Sequence, residues 1–266
     1  MNQPLLDGQV AIITGASRGI GAATARAFVA AGAAVALAAR DAAALQTLAD
    51  ELSVDSGRAI AVPTDVGDPT SIQHLVEQTV GAFGRLDLAF NNAAGGGQAP
   101  TLLADLPVEA FDSAIAISLR GVFLSMKYEI PAMLAAGGGA IVNMSSTAGL
   151  QGVGGLAGYV SAKHGVIGLT RSAALDYADR NLRVNAVAPG PILTERLEAA
   201  GVDAQRMAGL AMPMRRIGRT EEVAQAVVWL CSDQASFITG TVLAIDGGKL
   251  AGMAPFSAVA RPSAAR

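Results

Sequence analysis

The sequence is poor in cysteine, aromatic residues and charge, and each shortage excludes a class of protein. Its 266 residues contain one cysteine, Cys231, which rules out an internal disulfide and fits a reducing compartment, so we expect a cytoplasmic protein. Charged residues make up 15%, the net charge is −3 and no basic run occurs, so nucleic acid is not an expected partner. No spacing of His, Cys or carboxylates suggests a metal site.

Long hydrophobic runs are missing as well. The most apolar stretch, residues 28–39, is broken by Gly32 and contains seven alanines, so no membrane span is expected. The first residues lack a basic segment followed by an apolar one, so no secretory signal is expected either. The length suits one large domain. We expect a single catalytic domain over residues 1–252 and a tail over residues 253–266.

Short apolar runs alternate with longer helical patterns along the chain. The runs predict strands at residues 10–13, 34–38, 59–62, 86–90, 140–144, 182–186 and 241–245. Helices are predicted at residues 20–31, 41–52, from 68 onward, 108–134, 158–177 and 221–231. Strands that alternate with helices form parallel sheets that are covered on both faces. The prediction is therefore an α/β fold with a doubly wound parallel sheet of seven strands.

A glycine-rich turn links the first strand to the first helix. Residues 14–21 read T-G-A-S-R-G-I-G, in which Gly15, Gly19 and Gly21 allow a tight turn and a close approach of ligand to backbone. The helix that follows presents free N–H groups to an anion such as a pyrophosphate. Structural glycines at such turns are common, but the position between strand and helix favours phosphate binding.

Tyr159 and Lys163 stand four residues apart in a chain that has three of each residue type. A chance match to this spacing is expected only about 0.03 times in a chain of this composition. On a helix the two side chains share one face, so an ammonium lies beside a phenol and stabilises its phenolate form. That arrangement suits acid–base chemistry near neutral pH, although a solvated helix face would show the same spacing.

Together, the glycine turn and the Tyr-x-x-x-Lys pair resemble the short-chain dehydrogenase/reductase family, including its 3-oxoacyl reductases and related ketoreductases. Further matches follow in order at 65–66, 91–94, 143–146, 189–190, 238–240 and 246–248, so that the resemblance runs from residue 8 to residue 248. The resemblance implies a Rossmann-like fold with helices on both faces of the sheet. It also implies a nicotinamide dinucleotide as cofactor and a small carbonyl or alcohol as substrate.

The resemblance assigns catalytic roles to three residues that match the family's pattern. Tyr159 is the general acid of carbonyl reduction, and Lys163 assists it and bonds the nicotinamide ribose. Ser146 lies thirteen residues before Tyr159 and corresponds to the serine that donates to the substrate oxygen. Paired serines in such a loop often serve only as turn residues, and the distance to Tyr159 is what distinguishes Ser146 from Ser145.

Ser118 occupies a position where the family usually has an asparagine that holds a water for proton relay. A serine hydroxyl is shorter and lacks the second donor of an amide. We therefore hypothesise that Ser118 holds the relay water less well without abolishing activity. The alternative is that Ser118 only packs and that another group serves the relay.

The end of the second strand bears on which dinucleotide binds. Relatives that prefer NAD carry an acidic residue where Ala39 stands, and Arg40 follows at once while Arg18 lies in the glycine turn. NADP carries a 2′-phosphate on its adenosine ribose, which NAD lacks, and two guanidiniums suit such a dianion. NADP(H) is therefore favoured over NAD(H). By resemblance the cofactor-binding residues are Gly15, Ser17, Arg18, Gly19, Ile20, Gly21, Arg40, Asp65, Val66, Asn92, Ala93, Tyr159, Lys163, Pro189, Gly190, Ile192 and Thr194.

Several functions remain open at this point. The leading one is an NADPH-dependent reductase of ketones, either 3-oxoacyl thioesters or general carbonyls, that is reversible as an alcohol dehydrogenase. The alternatives are an NAD-dependent dehydrogenase of an alcohol, sugar or steroid, and a dinucleotide-binding regulator with weakened catalysis. We expect a homotetramer or dimer. The substrate pocket is expected to be formed by residues 95–98, 151–156 and 191–214.

Overall fold

One parallel sheet of seven strands runs through the computed structural model, which describes residues 4–53, 58–95 and 99–252. The strands lie in the order β3-β2-β1-β4-β5-β6-β7. Their bounds are β1 Val10–Thr14, β2 Ala34–Ala39, β3 Ala59–Pro63, β4 Leu88–Asn91, β5 Gly139–Met144, β6 Leu182–Pro189 and β7 Val242–Ile245. The predicted doubly wound α/β fold is confirmed.

Helices connect the strands and cover both faces of the sheet. They are α1 Gly19–Ala30, α2 Ala42–Ser53, α3 Pro69–Phe83, α4 Val108–Ile115, α5 Gly121–Ala135, α6 Ala157–Tyr177, α7 Glu195–Ala199, α8 Val202–Leu210 and α9 Thr220–Cys231. The caps follow the sequence: the Asp41 and Asp68 carboxylates accept from the N–H groups of Ala44 at 3.0 Å and Thr70 at 2.9 Å.

The structure departs from the predicted elements most clearly in three places. The single helix expected over residues 108–134 is interrupted by a π-helical turn at Ala116–Arg120, where the N–H of Gly121 donates to the carbonyl of Ala116. The sixth strand continues three residues beyond the predicted end, to Pro189, because it still pairs with β7 there. Two further helices, α7 and α8, lie in the segment after β6, for which no helix was predicted.

Alternation along the strands divides the core into two layers. Ile13 packs in the layer that α1, α2 and α9 cover, whereas its neighbour Ile12 packs in the layer under α3, α5 and α6. Both side chains are fully buried, and each such burial stabilises the fold by about 1.5–3 kcal/mol. Both faces of β1 are therefore apolar, and this leaves the strand ends as the place for polar chemistry.

The strand order reverses direction between β1 and β4. The chain moves from β1 outward to β2 and β3, then crosses back to place β4 on the other side of β1. Such a switch point leaves a crevice outside the carboxyl ends of the strands, where open α/β sheets bind ligands.

Candidate active site

The carboxyl edge of the sheet gathers the predicted site residues. Most of them directly follow the end of a strand, and parallel strands all end at this one edge. Three of the four predicted catalytic residues lie on helical segments: Ser118 on the π-helical turn and Tyr159 and Lys163 on α6. Their contacts, described below, bring them to the ends of β4 and β5.

The turn after β1 has a backbone that requires glycine. Gly15 has a φ of +65°, and a Cβ there would lie 2.9 Å from Asn92 Nδ2. A Cβ on Gly21 would overlap the carbonyl oxygen of Gly15. The turn thus presents bare backbone at the start of α1, and the Arg18 side chain does not cap that helix. Such a cradle of N–H groups fits the pyrophosphate of a dinucleotide.

Asn92 braces this turn from the end of β4. Its Nδ2 donates to the carbonyls of Thr14 and Gly15, both at 3.1 Å. The backbone N–H groups of Asn92 and Ala93 both donate to Thr14 Oγ1, at 3.0 and 3.1 Å. The amide of Asn92 therefore shapes the glycine turn from below.

An acidic side chain reaches the glycine turn from the segment after β6. The N–H of Gly19 donates to Glu195 Oε1 at 3.1 Å, and a Cβ on Gly19 would lie 3.3 Å from Thr194 Cγ2. Pro189 is the last residue of β6, and the N–H of Gly190 donates to the Ile245 carbonyl of β7 at 3.0 Å. No sequence pattern points to the contact of Glu195.

The predicted ribose end of the cofactor site lies at the ends of β2 and β3. Arg40 directly follows β2 and is exposed, and Arg18 is exposed on the glycine turn. Neither guanidinium makes an ion pair within residues 4–53, 58–95 and 99–252. Asp65 accepts from the N–H of Gly67 at 2.9 Å, and Val66 is buried beside it. Two unpaired guanidiniums leave positive charge at this end.

Lys163 is buried beneath the site. It is 1% exposed, and its Nζ donates to the carbonyl of Met144, the last residue of β5, at 2.7 Å. Its Nζ lies 5.8 Å from the centre of the Tyr159 ring. Burial lowers the pKa of Lys163 to about 8, so the ammonium still prevails at neutral pH. The predicted pairing of ammonium and phenol on one face of α6 is present.

The two serines after β5 have different partners. Ser145 is buried and donates through Oγ to the carbonyl of Lys163 at 3.0 Å. Ser146 is half-buried, and its Oγ accepts from the N–H of Ala148 at 3.1 Å, so this bond leaves its hydroxyl hydrogen unused. A Cβ on Gly149 would overlap Ser145 Oγ, so that glycine permits α6 to approach.

A cavity of about 380 Å³ opens beside Tyr159. Tyr159 and Ser118 both line it, together with Gly95 and Thr101. Ser118 is 2% exposed, and its Oγ accepts from the N–H of Gly95 at 3.2 Å. This volume lies within the range of small-molecule pockets. The cavity therefore holds the two predicted catalytic residues of the central helices against a space for a small substrate.

The predicted substrate segments are positioned only in part. Residues 96–98 lie outside the described residues. The segment 191–214 carries α7 and α8 and is anchored at its base, where Ile192 pairs with Gly218 in a single parallel bridge. Near its other end the N–H of Met214 donates to the carbonyl of Gly247 at 3.1 Å.

The arginines after this segment have local partners. Arg216 pairs with Glu222 at 2.6 Å, and Arg215 donates through Nη1 to the carbonyl of Leu210 at 2.9 Å. The same Glu222 carboxylate accepts from the N–H of Arg219 at 2.7 Å at the start of α9. These bonds favour a structural role for the arginines over the binding of an acidic partner.

The described residues offer neither a metal-binding cluster nor a membrane-spanning helix. Within residues 4–53, 58–95 and 99–252 no group of three or more His, Cys, Asp or Glu side chains is arranged to hold a metal ion. None of the helices in those ranges combines the length and apolar character needed to cross a membrane.

A sequence family described as enoyl-(acyl carrier protein) reductase matches residues 15–249. The cyclohexanol dehydrogenase of an Acinetobacter strain is 44% identical over 243 residues, which cover 90% of this chain and 94% of the relative. The A-factor type γ-butyrolactone 1′-reductase (1S-forming) of Streptomyces virginiae is 45% identical over 251 residues, covering 92% and 97%. The chain belongs to the short-chain dehydrogenase/reductase family and is an oxidoreductase of that family.

A solved structure is similar to this chain over most of its length. The crystal structure of levodione reductase superposes with a TM-score of 0.89 at 33% identity and covers 93% of this chain and all of that one. Members of the family bind a nicotinamide dinucleotide, and the glycine turn and the crevice at the switch point fit such a cofactor.

Proposed function

We propose that the protein interconverts a ketone and a secondary alcohol with NADP(H), using Tyr159 as the acid–base group. The observation that carries this proposal is the position of Tyr159, which lines a cavity of about 380 Å³ and has the buried ammonium of Lys163 5.8 Å from its ring centre. A phenol so placed can pass its proton to the oxygen of a substrate that is held in the cavity.

In the direction of reduction, Tyr159 donates its proton to the substrate oxygen. When bound, the cofactor supplies the hydride, which no protein side chain can provide. The hydroxyl of Ser146 donates a hydrogen bond to the same oxygen as negative charge develops there. The ammonium of Lys163 then stabilises the phenolate that remains, and it is also the group that binds the nicotinamide ribose.

Ser118 is the proposed contact for the return of the proton. Its Oγ accepts from the N–H of Gly95, so its own hydrogen is the donor that is left for a water in the cavity. An asparagine amide would bring two donor hydrogens to this position. The relay is therefore proposed to work, but with one fewer directing bond.

The preference for NADP(H) rests on charge at the end of β2. Ala39 offers no carboxylate to repel a 2′-phosphate, and Arg40 and Arg18 are exposed guanidiniums without ion-pair partners in the described ranges. A charge-assisted hydrogen bond contributes about 1.5–3 kcal/mol, or roughly ten- to a hundredfold in affinity. R40A should therefore weaken NADPH binding by about tenfold and NADH binding much less.

The matched control for R40A is R171A, since Arg171 is an exposed arginine of α6, far along the chain from β2. If R40A changes the affinity for NADPH no more than R171A does, the preference for NADP(H) is wrong. A dehydrogenase that uses NAD is the second candidate, and the cyclohexanol dehydrogenase at 44% identity is what favours a cyclic alcohol as its substrate.

The proposed substrates are compact. A cavity of about 380 Å³ is at the small end of the usual range for ligand pockets, which suits a single ring better than a steroid. The 3-oxoacyl thioesters remain an alternative, and the family description that names an acyl carrier protein supports them. A panel of cyclic ketones, 3-oxoacyl thioesters and the matching alcohols should be tested with both cofactors, following the absorbance of the reduced nicotinamide.

The same panel also tests the alternative that the protein is a dinucleotide-binding regulator with weakened catalysis. Turnover of any carbonyl or alcohol supports the enzyme, whereas tight cofactor binding without turnover of any of them favours a dinucleotide-binding regulator. Self-association is part of the proposal: Phe123 on α5 and Leu175 on α6 are exposed apolar side chains, the latter 83% exposed, and we propose these two helices as the association surface. A homotetramer or dimer is expected in light scattering, and a monomer would refute the assembly. The proposed location of the protein is the cytoplasm.

A further inference from the structure

A carboxylic acid is buried behind the active site without a charged partner. Glu129 of α5 is 1% exposed, and its Oε2 accepts from Asn91 Nδ2 at 3.0 Å. Asn91 Nδ2 also donates to Asn143 Oδ1 at 3.1 Å. The chain of bonds continues from Asn143 Nδ2 to Thr170 Oγ1 at 3.0 Å. One network therefore joins α5, β4, β5 and α6.

The direction of every bond in this network is fixed from one end. The hydroxyl of Thr170 donates to the carbonyl of Val166 at 2.8 Å, so its oxygen accepts from Asn143. Asn143 must then present Nδ2 to Thr170 and Oδ1 to Asn91. Both hydrogens of Asn91 Nδ2 are used, one towards Asn143 and one towards Glu129. Asn91 Oδ1 is left requiring a donor.

Glu129 and Asn91 each carry one buried oxygen that lacks a hydrogen-bond partner. In the described part of the chain three buried side-chain oxygens have no hydrogen-bond partner: Gln9 Oε1, Asn91 Oδ1 and Glu129 Oε1. An ionised Glu129 could only accept, which would leave Glu129 Oε1 and Asn91 Oδ1 both buried without a donor. A proton on Glu129 Oε1 would make it a donor, and Asn91 Oδ1 is the acceptor that lacks one.

We propose that Glu129 is a neutral carboxylic acid that donates to Asn91, and that this acid–amide pair is a positioning element for the active site. Asn91 directly precedes Asn92, whose amide braces the glycine turn. Asn143 directly precedes Met144, whose carbonyl holds Lys163 Nζ. The pair therefore fixes the strand ends that carry the cofactor turn and the support of the catalytic lysine. The positioning role rests on the proposed function, and the protonation state does not.

The surroundings of Glu129 favour the neutral form. Burial raises the pKa of Glu129 from its usual value of 4.5 to about 7, and the hydrogen bond from Asn91 only partly opposes this shift. Strands β4 and β5 contain no ionisable residue. The other ionisable groups of α3 and α5 are more exposed than Glu129: His74, Glu77 and Lys127 are exposed, and Tyr128 is half-buried. The buried ammonium of Lys163 is directed to Met144.

Two variants separate this role from simple packing. E129Q keeps the shape and provides an N–H donor for Asn91 Oδ1, whereas E129L keeps approximately the volume and provides none. We expect E129Q to retain kcat within about twofold and E129L to lose about ten- to a hundredfold, the cost of a slightly misplaced catalytic group. Equal losses in E129Q and E129L would overturn the positioning role.

The protonation state has its own readouts, which need no substrate. Since the folded pKa of Glu129 is raised, its contribution to stability is fully present below about pH 4.5 and is lost as the pH rises to about 7. The melting temperature of the wild type should fall relative to that of E129Q over this window. The infrared band of a protonated carboxylic acid should be present at about pH 6 and absent from E129Q. An unchanged difference in melting temperature, or no such band, would overturn the proposal even if the enzyme proves active.

If neither the wild type nor the variants turn over any substrate of the panel, the proposed function has failed. The infrared band and the melting curves then still decide whether Glu129 is neutral.

Discussion

Gly19 and Glu195 are 176 residues apart in the chain, yet the N–H of Gly19 at the start of α1 donates to a carboxylate oxygen of Glu195 at 3.1 Å. That amide belongs to the turn that fits a pyrophosphate. The carboxylate of Glu195 and a phosphate are both anions, so the carboxylate competes for the position in which a phosphate would be stabilised. The segment after β6 thus holds the glycine turn through a carboxylate that a phosphate bound at this amide would have to displace.

Removing the charge of Glu195 should strengthen cofactor binding. An anion at a helix N-terminus contributes about 0.3–1 kcal/mol, so we expect E195Q to bind NADPH about two- to fivefold more tightly. Calorimetric titration at two salt concentrations measures this, and the gain should shrink at high salt. E198Q is the control, because it removes the same charge from the same helix, α7, without that contact. Equal affinities for E195Q and the wild type would contradict the competition.

Removal of the Tyr159 hydroxyl tests the acid–base role directly. General acid–base catalysis contributes about 10²- to 10⁴-fold, so Y159F should lose that factor in kcat while its affinity for the cofactor changes by less than about twofold. The matched control is Y177F, because Tyr177 lies at the other end of α6 and contacts Arg180, with 5.5 Å between ring centre and guanidinium. A Y159F enzyme with near wild-type kcat would rule out Tyr159 as the proton donor.

The sheet and most helices could be predicted because their signals are local. Apolar runs and the caps at Asp41 and Asp68 lie within each element, and the structure has them where the sequence puts them. The π-helical turn could not be predicted in this way. Its sequence, A-I-S-L-R, contains no helix-breaking residue, and Ser118 within it bonds Gly95, which is 23 residues away.

The same distinction applies to the site. Residues that follow strand ends are brought to one edge by the topology alone, so local motifs such as the glycine turn after β1 are enough to predict where those residues lie. Their partners depend on packing between distant segments. The carbonyl of Met144 carries no side-chain signal that it holds Lys163, and nothing local marks Glu195 as a partner of Gly19.

The buried Lys163 should make stability depend on pH in a definite direction. Its folded pKa is lowered from 10.5 to about 8, so the folded state disfavours the ammonium, and the penalty disappears as the pH rises from about 8 to 10.5. The free energy of unfolding of the wild type should thus rise relative to that of K163M by up to about 3 kcal/mol across this window.

Urea unfolding at several pH values provides the measurement. K127M is the control, since Lys127 is exposed on α5 and its loss should leave the pH dependence unchanged. K163M should also be nearly inactive, because the phenolate of Tyr159 loses its neighbouring charge. If the free energy of unfolding of the wild type ran parallel to that of K163M between about pH 8 and 10.5, burial would not lower the pKa of Lys163.

Ser118 offers a gain-of-function test. An asparagine there supplies a carbonyl oxygen for the N–H of Gly95 and two amide hydrogens for a water, where serine supplies one. We expect S118N to raise kcat by a few-fold, on the scale of one additional net hydrogen bond of about 1 kcal/mol in the proton path. Steady-state kinetics in heavy and light water should show the increase with a smaller solvent isotope effect. S113N is the control, because Ser113 lines the same cavity but is exposed. A melting temperature within a few degrees of the wild type establishes that the larger side chain is accommodated, and an unchanged or lower kcat in such a folded variant would refute the role of Ser118 in proton return.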